Sequence, residues 1–237
     1  MPLLLKEVDP EVDFPSLARC VLEAYEEPLQ SFIYLFFAPM HGSNARSREV
    51  AIDEAAERLK LWHTSDPTSF WQKVVDTDTG RIVGGAAWNI YMSNPFVEPH
   101  AVEVSWYPDD GSRAYVEKAL ESYARPRYMA AQRAHVYLFN VFAHPDYRRK
   151  GIGQQVMDWG MKKADDLGLE LFLDATPLGK PLYKKNGLVC IEENVTGLER
   201  KHAGEGDNDK WNEMVVAIGS FSFCLMTLPI GGKCRDT

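Results

Sequence analysis

Cysteine is scarce in this sequence of 237 residues, with four copies at irregular spacings and no C-x-x-C pair. A disulfide-stapled domain or a structural zinc site would need closer and more regular spacing, so neither is predicted and no metal is expected. Repeats and low-complexity tracts are also absent, which excludes repeat-dominated and disordered proteins. The scarcity of cysteine is typical of proteins in the reducing cytoplasm.

Basic residues are in the minority. Lys and Arg total 26 against 34 Asp and Glu, which gives a formal net charge of −8. Proteins that bind a phosphate backbone usually carry the opposite balance, so nucleic acid is not expected as a partner. The acidic field mildly favours a cationic or amine-bearing substrate.

A signal peptide is not predicted, because the charged residues Lys6 and Glu7 directly follow three leucines. Residues 215–230 are uncharged and largely apolar, close to the ~20 residues of a membrane span. Gly219, Pro229 and several hydroxyl residues interrupt this stretch, which favours two buried strands with a bend. We therefore expect a cytoplasmic protein without a membrane anchor, in which residues 215–237 form an atypical apolar C-terminal extension.

The overall composition, with 45% hydrophobic and 25% charged residues, is ordinary for a globular protein. Hydrophobic periodicity and turn residues divide the chain into strands and helices. The predicted strands cover residues 3–8, 70–75, 81–91, 135–143, 169–173 and 188–191, with a last strand from residue 211 onward. The predicted helices cover residues 14–25, 29–38, 47–63, 114–133, 151–167 and 181–186. Asp13 and Ser47 are the predicted N-caps, Pro126 should kink or split its helix, and residues 192–210 should form a polar loop. This order predicts a single α/β domain over residues 1–237.

The most informative stretch is residues 141–153, V-F-A-H-P-D-Y-R-R-K-G-I-G. It places a short basic loop and two glycines between a buried strand and the start of an amphipathic helix. The start of a helix presents unpaired N–H groups and the positive end of the helix dipole, which together suit a phosphate or pyrophosphate. Gly151 and Gly153 allow the backbone to come close to such a ligand. The residues alone therefore predict an anionic, phosphate-bearing ligand.

Two other glycine motifs do not match. A dinucleotide-binding fingerprint requires a third glycine where Val156 stands. A P-loop around Gly179-Lys180 would require glycine at Asp174 and Ser or Thr at Pro181.

The segment R-R-K-G-I-G, residues 148–153, resembles the R/Q-x-x-G-x-G/A signature of the GNAT family of N-acetyltransferases. Residues 175–188, A-T-P-L-G-K-P-L-Y-K-K-N-G-L, resemble the second signature of that family, a tyrosine on a short helix before a glycine and a strand. The strong resemblance covers residues 135–191. It implies the GNAT acyltransferase fold, a mixed, mostly antiparallel twisted sheet with flanking helices.

The resemblance implies acetyl-CoA as the ligand, with its pyrophosphate on the backbone N–H groups of residues 149–154. The end of the preceding strand would pair with the pantetheine amides as a neighbouring strand would, and an N–H near Phe142 would polarise the thioester carbonyl. The implied cofactor-binding residues are Val141, Phe142, Ala143, Arg148, Arg149, Lys150, Gly151, Ile152, Gly153 and Gln154.

Tyr183, in the second signature, is the candidate acid that protonates the leaving thiolate. An alkylamine of pKa ~10 must lose a proton before it attacks, so a base is also needed. Glu103, Asp174 and Glu98 are candidates, and water relays are an alternative to all three. His144 is interpreted as a loop residue, and Trp88 and Trp106 as candidate walls of an acceptor pocket.

These features predict an N-acetyltransferase that moves an acetyl group from acetyl-CoA directly to a primary amine. Residues 94–133 form a long insertion over the acceptor side, which favours a small enclosed substrate. Peptide N-termini, lysine side chains, polyamines, amino sugars and xenobiotic amines are all compatible with the motifs. The alternative is a non-catalytic acyl-CoA-binding module whose acceptor site is filled.

Overall fold

The computed structural model describes residues 2–38, 45–97, 103–201 and 208–232. The strands are β1 (Leu3–Glu7), β2 (Ser69–Asp76), β3 (Ile82–Tyr91), β4 (His135–Ala143), β5 (Glu170–Ala175), β6 (Val189–Thr196) and β7 (Phe221–Leu228). The α-helices are α1 (Phe14–Glu26), α2 (Ala45–Ser65), α3 (Gly111–Ala130), α4 (Ile152–Leu167), α5 (Lys180–Lys185) and α6 (Asn208–Ile218). Short 3₁₀ helices cover Ser31–Leu35, Pro145–Tyr147 and Ile230–Gly232.

The strands form one seven-stranded sheet in the order β1-β2-β3-β4-β5-β7-β6. Every neighbouring pair is antiparallel except β4 and β5, which are parallel. This confirms the mixed, mostly antiparallel sheet with flanking helices that the sequence predicts. Helices α1 and α2 pack with Trp71 and Phe142 of the sheet, and α4 packs with Trp88 and Val136.

Local signals placed most elements correctly, but two predicted caps act differently. Asp13 precedes α1 as predicted, yet its side chain makes no capping bond and instead accepts the N–H of Asp9 at 2.7 Å and pairs with Lys73. Ser47 lies inside α2, which begins at Ala45, so the predicted N-cap is wrong. Val50, an apolar residue of the same helix, is 62% exposed.

Pro126 does not split α3, which continues to Ala130. Proline cannot donate to the carbonyl four residues earlier, here that of Ser122. The side-chain amide of Asn194 on β6 donates to that carbonyl at 3.1 Å. A tertiary contact thus gives the Ser122 carbonyl the hydrogen bond that Pro126 cannot donate.

The C-terminal third differs most from the prediction. β6 extends to Thr196, beyond the predicted strand, and Trp211 begins no strand because it lies in α6. β7 follows α6 and enters the sheet between β5 and β6. Residues 215–218 therefore end a helix and residues 221–228 form an interior strand, so this stretch is not two bent strands.

The membrane-anchor alternative also concerns this stretch. Within the described ranges of the chain, no helix combines the length and the apolar character needed to cross a bilayer.

Cys190 and Cys224 are joined in a disulfide, which corrects the expectation of none. The two residues are 34 positions apart, and the pairing of β6 with β7 brings them together. Sequence spacing carries no information on such a pair. The finding removes the cysteine-based argument for a reducing compartment, and the cytoplasmic location stays a prediction.

Candidate active site

The site begins where β4 and β5 diverge. The two strands pair from His135 with Glu170 to Leu138 with Leu173, and the described pairing stops there. On its other side, β4 pairs with β3, and this pairing skips one residue of β4. Ala87 pairs with Asn140, and the next residue, Trp88, pairs with Leu138. Phe139 therefore has no partner and forms a β-bulge. A bulge bends its strand. The rest of β4 stays paired with β3 and leaves β5, and a cavity of about 760 Å³ extends from this opening to the start of α4.

One end of the cavity is the turn before α4. Gly151, the residue before the helix, has φ 92°, and Arg149 is in the same left-handed region with φ 61°. A Cβ atom built on Gly151 would meet no atom within 4 Å, so the space above this turn is open to a ligand. The first N–H groups of α4 have no intrahelical acceptor. The turn therefore combines open space with free backbone N–H groups, an arrangement that could hold a phosphate.

The predicted cofactor residues do not all reach the cavity. Val141, Phe142, Ala143, Arg148, Arg149, Gly151, Ile152, Gly153 and Gln154 line it. Lys150 is exposed and outside the lining, with its ammonium 4.6 Å from the centre of the Tyr147 ring. Arg148 donates to the carbonyls of Ala24 and Glu27, so it also fastens the C-terminal end of α1 to the turn. Lys185, which the sequence analysis missed, adds a further positive charge to the lining.

Tyr183 lines the cavity on the side of α5 and is 5% exposed. Gly179 makes room for its ring, because a Cβ atom there would lie 2.9 Å from Cε2 of Tyr183. Burial raises the pKa of Tyr183 above its usual range, with smaller contributions from Tyr25 and Tyr123. Among the described residues, no group hydrogen-bonds to its hydroxyl. The phenol is therefore neutral and available to a bound molecule.

Tyr25, at the end of the predicted helix over residues 14–25, is a second tyrosine of the cavity lining and was not predicted as a site residue. Its hydroxyl lies 2.6 Å from Oδ1 of Asn140 and 3.2 Å from the carbonyl oxygen of Val141. Burial raises the pKa of Tyr25 as well. The hydroxyl thus contacts the stretch of β4 that has left β5.

Among the described residues, Asp174 is the one predicted base in the cavity lining. Its carboxylate accepts a hydrogen bond from Arg127 at 2.5 Å and one from the Tyr137 hydroxyl at 2.8 Å, both on Oδ2. Glu103 is exposed and is not among the lining residues, and Glu98 lies outside the described residues.

The remaining titratable candidate, His144, is a loop residue as predicted. Its Nδ1 accepts the N–H of Asp146 at 3.2 Å and so caps the short 3₁₀ helix that follows. This contact gives His144 a structural role in the loop after β4.

The two tryptophans proposed as pocket walls lie elsewhere. Trp88 is fully buried and donates to Gln72 at 3.0 Å, and Trp106 donates to the carbonyl of Leu35 at 3.0 Å. Neither is among the lining residues, so this prediction is wrong. The aromatic residues that line the cavity are Tyr25, Phe32, Phe36, Phe37, Trp71, Tyr123, Phe139, Phe142, Tyr147, Tyr183 and Phe223.

A protein-family model and several solved structures are similar to this chain. The family model described as acetyltransferase (GNAT) family matches residues 33–188. No curated protein matches the sequence. Among solved structures, arylalkylamine N-acetyltransferase 2 from Aedes aegypti is 12% identical with a TM-score of 0.60, over 96% of this chain and 98% of that chain.

Two further structures have the same fold. A polyamine N-acetyltransferase from Drosophila melanogaster is 13% identical with a TM-score of 0.52, over 97% of this chain and 100% of that chain. A Corynebacterium glutamicum protein, described as histone acetyltransferase HPA2 and related acetyltransferase, is 17% identical with a TM-score of 0.54, over 99% of this chain and 100% of that chain. At these identities the likeness concerns the fold, and it confirms the fold class that the signatures implied.

Proposed function

The chain belongs to the acetyltransferase (GNAT) family, and from this premise we propose that it moves an acetyl group from acetyl-CoA directly to the primary amine of a small molecule. The observation that carries the proposal is the continuity of one cavity. It connects the open turn at Gly151, the free side of β4 and the side chain of Tyr183. A phosphate site, a backbone edge and a proton donor are what a thioester-bearing nucleotide substrate needs.

In the proposed complex, the backbone N–H groups of residues 149–154 hold the pyrophosphate, and Arg149 and Lys185 add positive charge. Asn140 to Ala143, on the free part of β4, pair with the pantetheine amides as an added strand would. The N–H near Phe142 then polarises the thioester carbonyl. The positions of these residues in the cavity lining, Lys150 excepted, support the assigned roles.

The proposed chemistry is an acyl transfer without a covalent enzyme intermediate. The ammonium group of the acceptor first loses one proton to solvent, and the free amine attacks the thioester carbon. The new C–N bond forms as the C–S bond breaks, and the Tyr183 hydroxyl gives its proton to the departing thiolate. The second proton of the attacking nitrogen then restores the Tyr183 hydroxyl, so one proton is released overall.

The burial of Tyr183 suits this role. Desolvation raises the pKa of the phenol, and it raises the pKa of a thiol in the same way. The chain provides an example, because burial raises the pKa of the Cys20 thiol to about 12. Since the leaving thiolate would be desolvated too, Tyr183 remains matched to it as a donor.

The alternative, a non-catalytic acyl-CoA-binding module, requires a filled acceptor site. The cavity of about 760 Å³ is instead open and is lined by Phe32 and Phe223 as well as Tyr183, which favours transfer. Glu103 lies outside the lining, and the proposal gives it no role. The cytoplasmic location and the single domain over residues 1–237 stay predictions.

Two measurements test the proposal. Calorimetry with acetyl-CoA should show saturable binding, and thiol release should depend on an added primary amine. Binding without release from any amine would support the binding module, and an absence of acetyl-CoA binding would contradict the assigned site.

A further inference from the structure

In the proposed complex the acceptor end of the cavity is lined by aromatic rings, called here the aromatic wall: Tyr25, Phe32, Phe36, Tyr123, Phe139 and Phe223. The ring centres of Tyr25 and Phe32 are 5.1 Å apart, and those of Phe32 and Phe223 are 5.0 Å apart. Those of Phe223 and Tyr123 are 4.7 Å apart. These spacings are typical of favourable aromatic pairs. The wall therefore offers aromatic faces and edges to a ligand.

The charges in the cavity lining are few and mostly positive. Among the described lining residues, Asp174 is the one carboxylate, against Arg148, Arg149 and Lys185. The positive groups belong to the phosphate end, near the start of α4 and on α5. A polyamine or a lysine-rich peptide carries several ammonium groups, and each would need an acidic partner when desolvated. The lining offers such a partner to a single ammonium group.

Asp174 is placed to receive that group. It follows Leu173, the last residue of β5 that pairs with β4, so it lies where the two strands separate. Arg127 and Tyr137 both bind Oδ2, and within the described part of the chain no donor contacts Oδ1. The guanidinium of Arg127 also lies 5.5 Å from the centre of the Tyr123 ring, which connects Asp174 to the aromatic wall.

We propose that the acceptor is an arylalkylamine, a molecule with one primary ammonium group on a short chain attached to an aromatic ring. This inference rests on the proposed function and specifies its acceptor. The aryl ring packs against Phe32 and Phe223, and the ammonium group binds Oδ1 of Asp174 before it loses its proton. Amino sugars are disfavoured, because the aromatic wall offers phenylalanine rings where their hydroxyls would need hydrogen-bond partners.

The test compares the kcat/KM of thiol release for 2-phenylethylamine, hexylamine, spermidine, glucosamine and a lysine-containing peptide. We expect 2-phenylethylamine to exceed hexylamine by roughly 3-fold to 10-fold, since an aromatic pair contributes about 0.5–1.5 kcal/mol beyond area burial. Spermidine, glucosamine and the peptide should be lower by roughly 100-fold or more, because each leaves charged or polar groups unpaired.

The variant Phe32→Leu probes the wall directly. It should raise the KM for 2-phenylethylamine several-fold, with little change for hexylamine or acetyl-CoA. The matched control is Phe70→Leu, since Phe70 stacks on Trp159 at 4.8 Å outside the cavity lining. The control should leave the ratio of the two amines unchanged.

The outcomes separate the two proposals. Preference for spermidine, glucosamine or the peptide, or equal rates for hexylamine and 2-phenylethylamine, would overturn this inference and leave the acetyltransferase proposal intact. Binding of acetyl-CoA without thiol release from any of the five amines would overturn both.

Discussion

The guanidinium of Arg127 lies 2.5 Å from the carboxylate of Asp174, and the two side chains are 10% and 4% exposed. The residues are 47 positions apart, on α3 and β5. Tyr137 donates to the same carboxylate oxygen. The candidate base at the cavity is thus part of a buried ion pair, which suits a group that orients an ammonium ion rather than a free proton acceptor.

The first prediction concerns this pair. Arg127→Met leaves a buried carboxylate without its cation, so we expect the free energy of unfolding to fall by about 3–5 kcal/mol. The double variant Arg127→Met/Asp174→Asn should lose less than the sum of the two single changes, measured by denaturant unfolding. The control is Lys118→Met, which breaks an exposed pair with Glu121 and should cost about 0–1 kcal/mol. Additive losses would show that the two buried groups are not coupled.

A second prediction concerns the phosphate end. Gly151→Val places a side chain in the open space above the turn, so acetyl-CoA binding should be abolished in calorimetry. Gly168→Val is the control for the effect of backbone strain alone. Gly168, at the other end of α4, also has a positive φ and no atom within 4 Å of its Cβ position. The control should lose stability but keep its affinity. Equal affinity in both folded variants would contradict the assigned site.

Tyr183→Phe tests the chemical step. The ring and its packing remain while the proton is lost, so kcat should fall on the order of 10²-fold with acetyl-CoA affinity nearly unchanged. Tyr115→Phe is the matched control, a buried tyrosine outside the cavity lining. In the wild type, the raised pKa of Tyr183 predicts that kcat shows no decline from phenol ionisation up to pH ~10. Wild-type turnover in the Phe variant would assign the protonation to water.

The burial of His135 leads to a prediction of how the free energy of unfolding depends on pH. It is fully buried, its Nδ1 lies 2.6 Å from the carbonyl oxygen of Arg133, and burial lowers its pKa. The folded state therefore disfavours the imidazolium, whereas the unfolded chain takes up a proton near pH ~6.5. The contribution of His135 to the free energy of unfolding should be fully present above that pH and should decrease as the pH falls below it. His135→Gln should flatten this part of the curve in denaturant titrations from pH 7.5 to 5, and an unchanged slope would argue against this assignment.

The packing of α4 on the sheet gives a further prediction. A Cβ atom on Gly160 would lie 2.0 Å from Cη2 of the fully buried Trp88. Gly160→Ala should therefore destabilise the protein by roughly 1–3 kcal/mol, although alanine favours a helix. Adding Trp88→Phe makes room, so the double variant should lose less stability than the two single losses combined. A thermally stabilised Gly160→Ala protein would contradict this packing.

Local sequence determined the elements whose signals lie within a few residues of one another. The hairpin of β2 and β3, the turn from β4 into α4 and the short helix with Tyr183 were all predicted, because turn residues and hydrophobic periodicity act over short distances. The left-handed conformation of Gly151 agrees with the glycine turn predicted at the start of α4. A local signal for α6 was also present, since Trp211, Met214, Val215 and Ile218 have helical spacing, but the apolar composition favoured a strand.

Only the tertiary structure decided which distant residues meet. The position of β7 between β5 and β6 creates the disulfide of Cys190 with Cys224. The packing of α1 against β4 brings Tyr25 to Asn140, and the packing of α3 near β5 brings Arg127 to Asp174. Such pairs form because burial and strand pairing act between segments far apart in the chain, and no spacing in the sequence records them. The sequence thus determined the glycine turn before α4 and the helix that carries Tyr183, whereas the tertiary structure decided the shape and charge of the cavity around Asp174.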